Sequence, residues 1–224
     1  MHSRIWFLWA ILVLPVCDVA SAQDESTIGS TFGPIDAVFR KYSDCSSYSD
    51  EGEVVVYYGV KNAMPGQQFL FTTNFRRGGA FSFESQPPVP YSIRIKDGML
   101  QREVFGELLP NRDGSYLHKA LLEVRLATKE ASTLVPLLLL RQSVFFDKAR
   151  DSRKWTELPA TFESADEFLD YQCLVGPSAY FFRIERKRKV IVKITKTTNV
   201  ALGSTVEITY SNIDIDGSKV PESE

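Results

Sequence analysis

Between Tyr48 and Ile215 the sequence keeps returning to one pattern: short stretches in which apolar and polar residues alternate with a period of two, separated by turn residues. Such alternation marks a strand with one face buried and the other in water, so a chain dominated by it predicts an antiparallel sheet covered on one side only. "YSDEGEVVVYYGV" and "QQFLFTTNFRR" are two such strands, joined through "KNAMPGQ", where Pro65-Gly66 is a turn pair. The second sets Phe69, Phe71, Thr73 and Phe75 on one side, and Leu70, Thr72, Asn74 and Arg76 on the other. The alternation breaks at Arg76-Arg77-Gly78-Gly79 and resumes in "AFSFES" with Phe81 and Phe83 on a shared face. "PPVP" at 87–90 forces an extended link to "YSIRIKD", and Asp97-Gly98 marks a tight hairpin into "MLQREVF". Strands joined this way in sequence form a meander.

Helical spacing occurs in three places. In "FGPIDAVFRKYSDC", Pro34 suits a first turn and Ile35, Val38, Phe39 and Tyr42 share a face. "SYLHKALLEVRLATKEA" aligns Leu117, Leu121, Val124 and Thr128, with Ser115 as its cap, and "STLVPLLLLR" offers Ser132 or Thr133 as a cap and Pro136 early in the helix. The apolar tetrad Leu137, Leu138, Leu139 and Leu140 is either deeply buried or faces a greasy cavity. Strands then return in "WTELPATFES", "FLDYQCLVG", "SAYFFRI", "KVIVKITKTT" (Val190, Val192 and Ile194 inward) and "STVEITYSNIDI" (Val206, Ile208 and Tyr210 inward). A strongly curved antiparallel sheet holding helices in its concavity fits this order.

The first twenty-two residues have a basic start at Arg4, an apolar run from Ile5 to Val16 and the small ending Ala20-Ser21-Ala22, the layout of a cleaved secretory signal. The run is too short to span a bilayer, which takes about twenty apolar residues. Val16 argues against lipid anchoring through Cys17, since a lipidation site wants a small residue there. The signal segment carries one Arg and one Asp, so its removal leaves the net charge of −2 unchanged, and nothing is built for a polyanion such as nucleic acid. The basic cluster Arg183, Arg186, Lys187, Arg188, Lys189 reads as a solvated hairpin. Two cysteines remain, Cys45 and Cys173; in an exported chain they suggest one disulfide, worth about 3 to 5 kcal/mol if unstrained, and the alternative is two buried free thiols.

Catalytic patterns are missing. There is no Gly-x-Ser-x-Gly elbow, His-Glu-x-x-His pair or phosphate-cradling glycine loop, and His118, the one histidine left after cleavage, lacks the companions that a zinc site or a hydrolase triad needs. Asp50, Glu51 and Glu53 suggest acid–base work, but "DEG" reads more simply as the solvated start of a strand. The expectation is a protein that is not an enzyme and has no cofactor and no metal.

The helix ending in "CSSYSDEGEV", the strand leading into "NFRRGGAFSFE", the "KDG" hairpin, the "STLVPLLLL" helix and the late hairpin "YFFRIERKRKVIVKIT" together resemble the LolA-like periplasmic lipoprotein-carrier superfamily, over roughly residues 33–216. The resemblance implies an α+β fold, a strongly curved, unclosed antiparallel β-barrel (half-barrel) with helices covering its concave face, and an apolar hollow that takes up lipoprotein acyl chains. It sets Arg77 on the arginine that the carriers use near the mouth of the cavity and Arg76 on the preceding lysine, while Gly78 replaces the usual proline. The expected layout is a signal peptide at 1–22, a flexible leader at 23–32, one domain at 33–216 and a polar tail at 217–224. The expected role is periplasmic, non-covalent binding of a lipid, lipoprotein acyl chain or similar apolar ligand by a monomer, as a carrier or in sorting. The ligand would touch Phe69, Phe71, Phe75, Phe81, Phe83 and Leu137 to Leu140, with Arg77 at the mouth. Two alternatives stand beside this. Arg76 and Arg77 could be solvated residues of an ordinary four-residue turn, and the fold could serve as an envelope protein-interaction or sensor module without lipid transport.

Overall fold

The computed structural model describes residues 33–58, 64–88, 90–127, 132–141, 155–159, 166–198 and 203–217, all within one compact unit spanning 32–224. The expected signal segment, leader, Cys17 and tail residues 218–224 lie outside the described residues. Helix α1 (Gly33–Asp44) forms on the predicted stripe, and Ile35, Val38, Phe39 and Tyr42 are all buried. Asp36 in its first turn and Lys41 in its last complement the helix dipole.

Six strands follow: β1 (Ser47–Tyr58), β2 (Met64–Arg76), β3 (Phe81–Ser85), β4 (Tyr91–Lys96), β5 (Met99–Val104) and β6 (Glu107–Asp113). A 3-10 turn at Gly114–Tyr116 leads into α2 (Leu117–Ala127), and α3 (Leu134–Leu139) comes next. The chain then forms β7 (Trp155–Glu157), β8 (Phe168–Val175), β9 (Ser178–Glu185), β10 (Val190–Thr198) and β11 (Ser204–Ile215). All eleven strands belong to one antiparallel sheet in the order β6-β5-β4-β3-β2-β1-β11-β10-β9-β8-β7. One meander runs outward from β1 to β6 and a second runs inward from β7 to β11. They join where β1 pairs with β11, Val54 opposite Ile208. β6 and β7 remain as edges, so the sheet is an unclosed half-barrel in an α+β fold.

Alternation decides which face is covered. Tyr48, Val54 and Val56 of β1, Phe69, Phe71 and Phe75 of β2, Tyr180, Phe182 and Ile184 of β9, and Val206, Ile208 and Tyr210 of β11 join the apolar faces of all three helices in one core. Leu70, Asn74 and Arg76 stay exposed on the other side. At Gly52 a side chain would be impossible as packed: an added Cβ would lie 2.1 Å from Phe71 Cζ, because the Phe71 ring crosses the strand there.

The structure departs from the sequence reading at several points. β6 was not expected; it is an edge strand with only Leu109 partly covered, so it carries no alternating pattern. Asp113, not Ser115, caps the turn before α2 by accepting from the Ser115 amide at 2.8 Å. Thr133 precedes α3 but makes no side-chain cap bond. In β10 a register shift between Ile191 and Lys193 turns Ile191 into the core beside Val190 and Ile194, leaving Val192 only half-buried. In β11 a second phase change, at Asn212 with φ +49°, returns Ile213 and Ile215 to the core.

Candidate functional site

The two arginines of the β2–β3 hairpin go separate ways. The turn itself is closed by backbone bonds from Arg76 N to Ala80 O (2.8 Å) and from Gly79 N to Arg76 O (3.1 Å). Gly78 sits at φ +72°, a left-handed conformation that glycine adopts without penalty. Arg76 is exposed on the outer face, where it lines a groove of about 610 Å³ with Asn74, Ser82, Arg94 and Lys96. Arg77 turns back toward the helices: Nε donates to Cys45 O at 2.8 Å, and Nη2 donates to Ser43 O at 2.5 Å and to Leu139 O at 3.4 Å. Its guanidinium also lies 5.2 Å from the centre of the Phe75 ring. One side chain thus ties β2 to the ends of both α1 and α3. Arg141, just after α3, reinforces the junction by donating to Ser43 O at 2.8 Å and to Asp44 Oδ1 at 3.1 Å. The carbonyl end of a helix carries partial negative charge, so two cations converging there are favourably placed. Arg141 went unnoticed in the sequence, although a cation directly after an apolar helix is the signal that could have found it.

Phe69, Phe71, Phe75, Phe81 and Phe83 are buried on the inner face with Leu137, Leu138 and Leu139, and Leu140 is half-buried against the same cluster. Phe71 stacks on Phe83 with ring centres 5.6 Å apart and meets Tyr210 edge-on at 5.8 Å. Farther along the sheet, Phe39 of α1 packs on Trp155 and Phe182 at 5.6 and 6.4 Å. These apolar residues therefore cover one another, sheet against helix.

The acidic stretch at the start of β1 requires a correction. Glu51 is exposed and accepts from Asn212 Nδ2 at 2.8 Å, and Glu53 bonds Gln68. Asp50, which reads as a solvated charge, is only 3% exposed, because the alternation that turns Tyr48 and Val54 inward turns it inward as well. Tyr48 Oη donates to its Oδ2 at 2.6 Å. Burial pushes the carboxyl up from 3.8 to about 7, with the Tyr48 bond acting against that rise. Tyr42, Tyr48 and Tyr210 surround it, and burial raises all three phenols. Tyr42 Oη accepts from the Ile191 amide at 2.9 Å, joining α1 to the bulge in β10.

A second polar node fastens α2. Glu123 accepts from Arg102 Nη1 at 2.7 Å, Tyr116 Oη at 3.2 Å and Tyr91 Oη at 3.3 Å. Arg102 is buried, with its guanidinium 4.9 Å from the Tyr116 ring centre. His118, on the same helix, is half-buried.

Cys45 and Cys173 do not form the expected bond; both are buried thiols outside any disulfide, the alternative the sequence left open. Cys45 Sγ donates to Tyr42 O at 3.1 Å, two residues before β1, whereas Cys173 lies on β8, four strands away in the sheet order. Burial pushes the Cys45 thiol up. Among the described residues no group of three His, Cys, Asp or Glu could hold a metal ion.

No protein-family model matches the sequence, and no curated protein matches it. Among solved structures the chain is similar to the Mycobacterium tuberculosis lipoprotein LppX (TM-score 0.39, 10% identity, 84% of this chain and 98% of that chain). It is similar also to a LolA superfamily protein from Nitrosomonas europaea (TM-score 0.38, 8% identity, 84% and 96%) and to a DUF1329 family protein from Desulfovibrio piger (TM-score 0.34, 11% identity, 84% and 95%). The solved structures that this chain resembles thus include a member of the LolA superfamily.

Proposed function

We propose that this protein, once exported to the periplasm, binds a lipid, a lipoprotein acyl chain or a similar apolar ligand non-covalently between the inner face of the sheet and its helices. The observation that carries the reading is the set of bonds from Arg77 to Ser43 O, Cys45 O and Leu139 O. Three acceptors, two on helices and one on the residue just past α1, hang on one side chain, beneath which Phe75, Phe81 and the Leu137 to Leu139 turn are buried. While the latch holds, those apolar groups cover one another. When Arg77 releases the carbonyls, α3 and the end of α1 can lift, and an acyl chain can take the place of the leucines. The freed guanidinium then meets the ligand's ester or carbonyl oxygens. The ligand favours the lifted state because it contacts apolar surface only there. The role is binding, in transport or sorting, and not catalysis.

The test is native mass spectrometry of the protein purified from a periplasmic extract, followed by organic extraction. We expect a co-purifying lipid or acylated peptide that is lost in Arg77→Leu. Leu138→Glu, shown to be folded by circular dichroism, should abolish uptake of a fluorescent fatty-acyl probe. A bare mass from both wild type and Arg77→Leu would overturn the reading in favour of an envelope protein-interaction module.

A further inference from the structure

Beneath the last turn of α1 the inner face of the sheet is polar. Tyr48 and Asp50 of β1, Thr73 of β2 and Tyr210 of β11 all point inward and are buried, and the buried Tyr42 of α1 lies over them, its ring centre 5.5 Å from that of Tyr48. Register brings them together: Asp50 lies opposite Thr73, and Tyr210 lies opposite Gly52, the next inward position after Asp50.

Tyr48 Oη donates to Asp50 Oδ2, the Ile191 amide donates to Tyr42 Oη, and Tyr48 also acts on the Tyr42 phenol as a hydrogen-bond partner. Three polar atoms are left without a hydrogen bond: Asp50 Oδ1, Thr73 Oγ1 and Tyr210 Oη. Thr73 turns its hydroxyl and amide toward the carboxyl and so draws its pKa down, yet the hydroxyl completes no bond there. Buried polar atoms are paired in nearly every folded protein, so three orphans on adjacent strands call for a partner. Packing alone would be served as well by Phe at 210 and Val at 73.

We infer that this cluster receives the polar end of the bound amphiphile, and that this end is a hydrogen-bond donor, an ammonium or a hydroxyl, in preference to a carboxylate. The inference rests on the apolar-ligand reading above. Above about pH 7 the Asp50 carboxyl is ionised and Glu51 already repels that charge, so an anionic head would add a further negative charge beside it. An ammonium instead brings three donors to three waiting oxygens, those of Asp50, Thr73 and Tyr210. Thr73 is the inward neighbour of Phe75, the ring beneath Arg77, so one head group can offer carbonyl oxygens to the arginine and a donor to the cluster.

The experiment measures displacement of the neutral dye N-phenyl-1-naphthylamine by dodecylamine and by dodecanoate at pH 8, where these carry opposite charges on the same chain. We expect dodecylamine to compete at least about tenfold better, a gap equivalent to one decade in affinity. Asp50→Asn should close most of that gap. Tyr210→Phe and Thr73→Val, each removing one orphan hydroxyl at little change of shape, should narrow it as well, which keeps the test valid if Asp50→Asn folds poorly. Equal competition by the two chains, unchanged in the variants, would overturn this inference alone. Failure of the wild type to take up the dye would overturn the apolar-ligand reading and this inference with it.

Discussion

With its carboxyl raised from 3.8 to about 7 by burial, Asp50 favours folding in its protonated form. Its contribution is complete below about pH 4, where folded and unfolded chains both hold the proton, and it is lost progressively as pH rises to about 7. The rise corresponds to about 4 kcal/mol. We expect urea denaturation between pH 4.5 and 8 to show wild type losing a few kcal/mol more than Asp50→Asn. Equal slopes for the two would show that the carboxyl ionises freely in the folded protein. Glu185 and Asp216 work in the opposite sense, their carboxyls lowered by Arg188 and by Ser46, and both are common to wild type and variant. Asp50 also shows where sequence reading fails at this scale. Its chemistry says outward and its place in the alternation says inward, and a strand cannot turn one residue around without turning its neighbours. Position therefore prevails, and the buried acid becomes visible only once β1 is seen to be covered.

Elements with one face in the core and one in water were legible: β3, β9 and β11 lie where the alternation puts them and α1 follows its stripe, whereas β2 begins at Met64, so that Pro65-Gly66, read as a turn, pairs within the strand instead. β6 was not legible, since an edge strand exposed on both faces has no reason to alternate. The bulge in β10 was hidden as well, because Val190, Ile191 and Val192 are all apolar and the period is unreadable through them. The aromatic and leucine residues of the candidate site were legible as apolar faces. The split of the arginine pair was not, because it depends on where two helix ends fall in space. The attachment of α2 rests on a pairing between distant segments, Glu123 with the buried Arg102. Removing the carboxylate, itself partly open to solvent, leaves a buried guanidinium without its anion, which costs about 1.5 to 3 kcal/mol. We expect Glu123→Ala to destabilise the protein by that order in urea titrations and to raise hydrogen exchange in α2 before β1 and β11. A loss under about 1 kcal/mol would mean that Arg102 finds another acceptor.

At the scale of the molecule, no covalent cross-link among the described residues joins the two halves of the sheet, since Cys45 and Cys173 are separate thiols. We expect reductant to leave the melting temperature unchanged and both residues to alkylate only after unfolding; a fall of several degrees on reduction would mean that the bond forms. What unites the halves is β1 against β11, residues 47–58 against 204–215. This arrangement governs the order of events in time. As the chain folds, β1 and β2 can find each other early, because they are close in sequence, but the other side of β1 stays bare until the last strand arrives. A seam between such distant segments implies a slow, late-closing search. It also makes the molecule intolerant of shortening. Loss of the twelve residues of β11 would take away the strand by which two half-sheets become one.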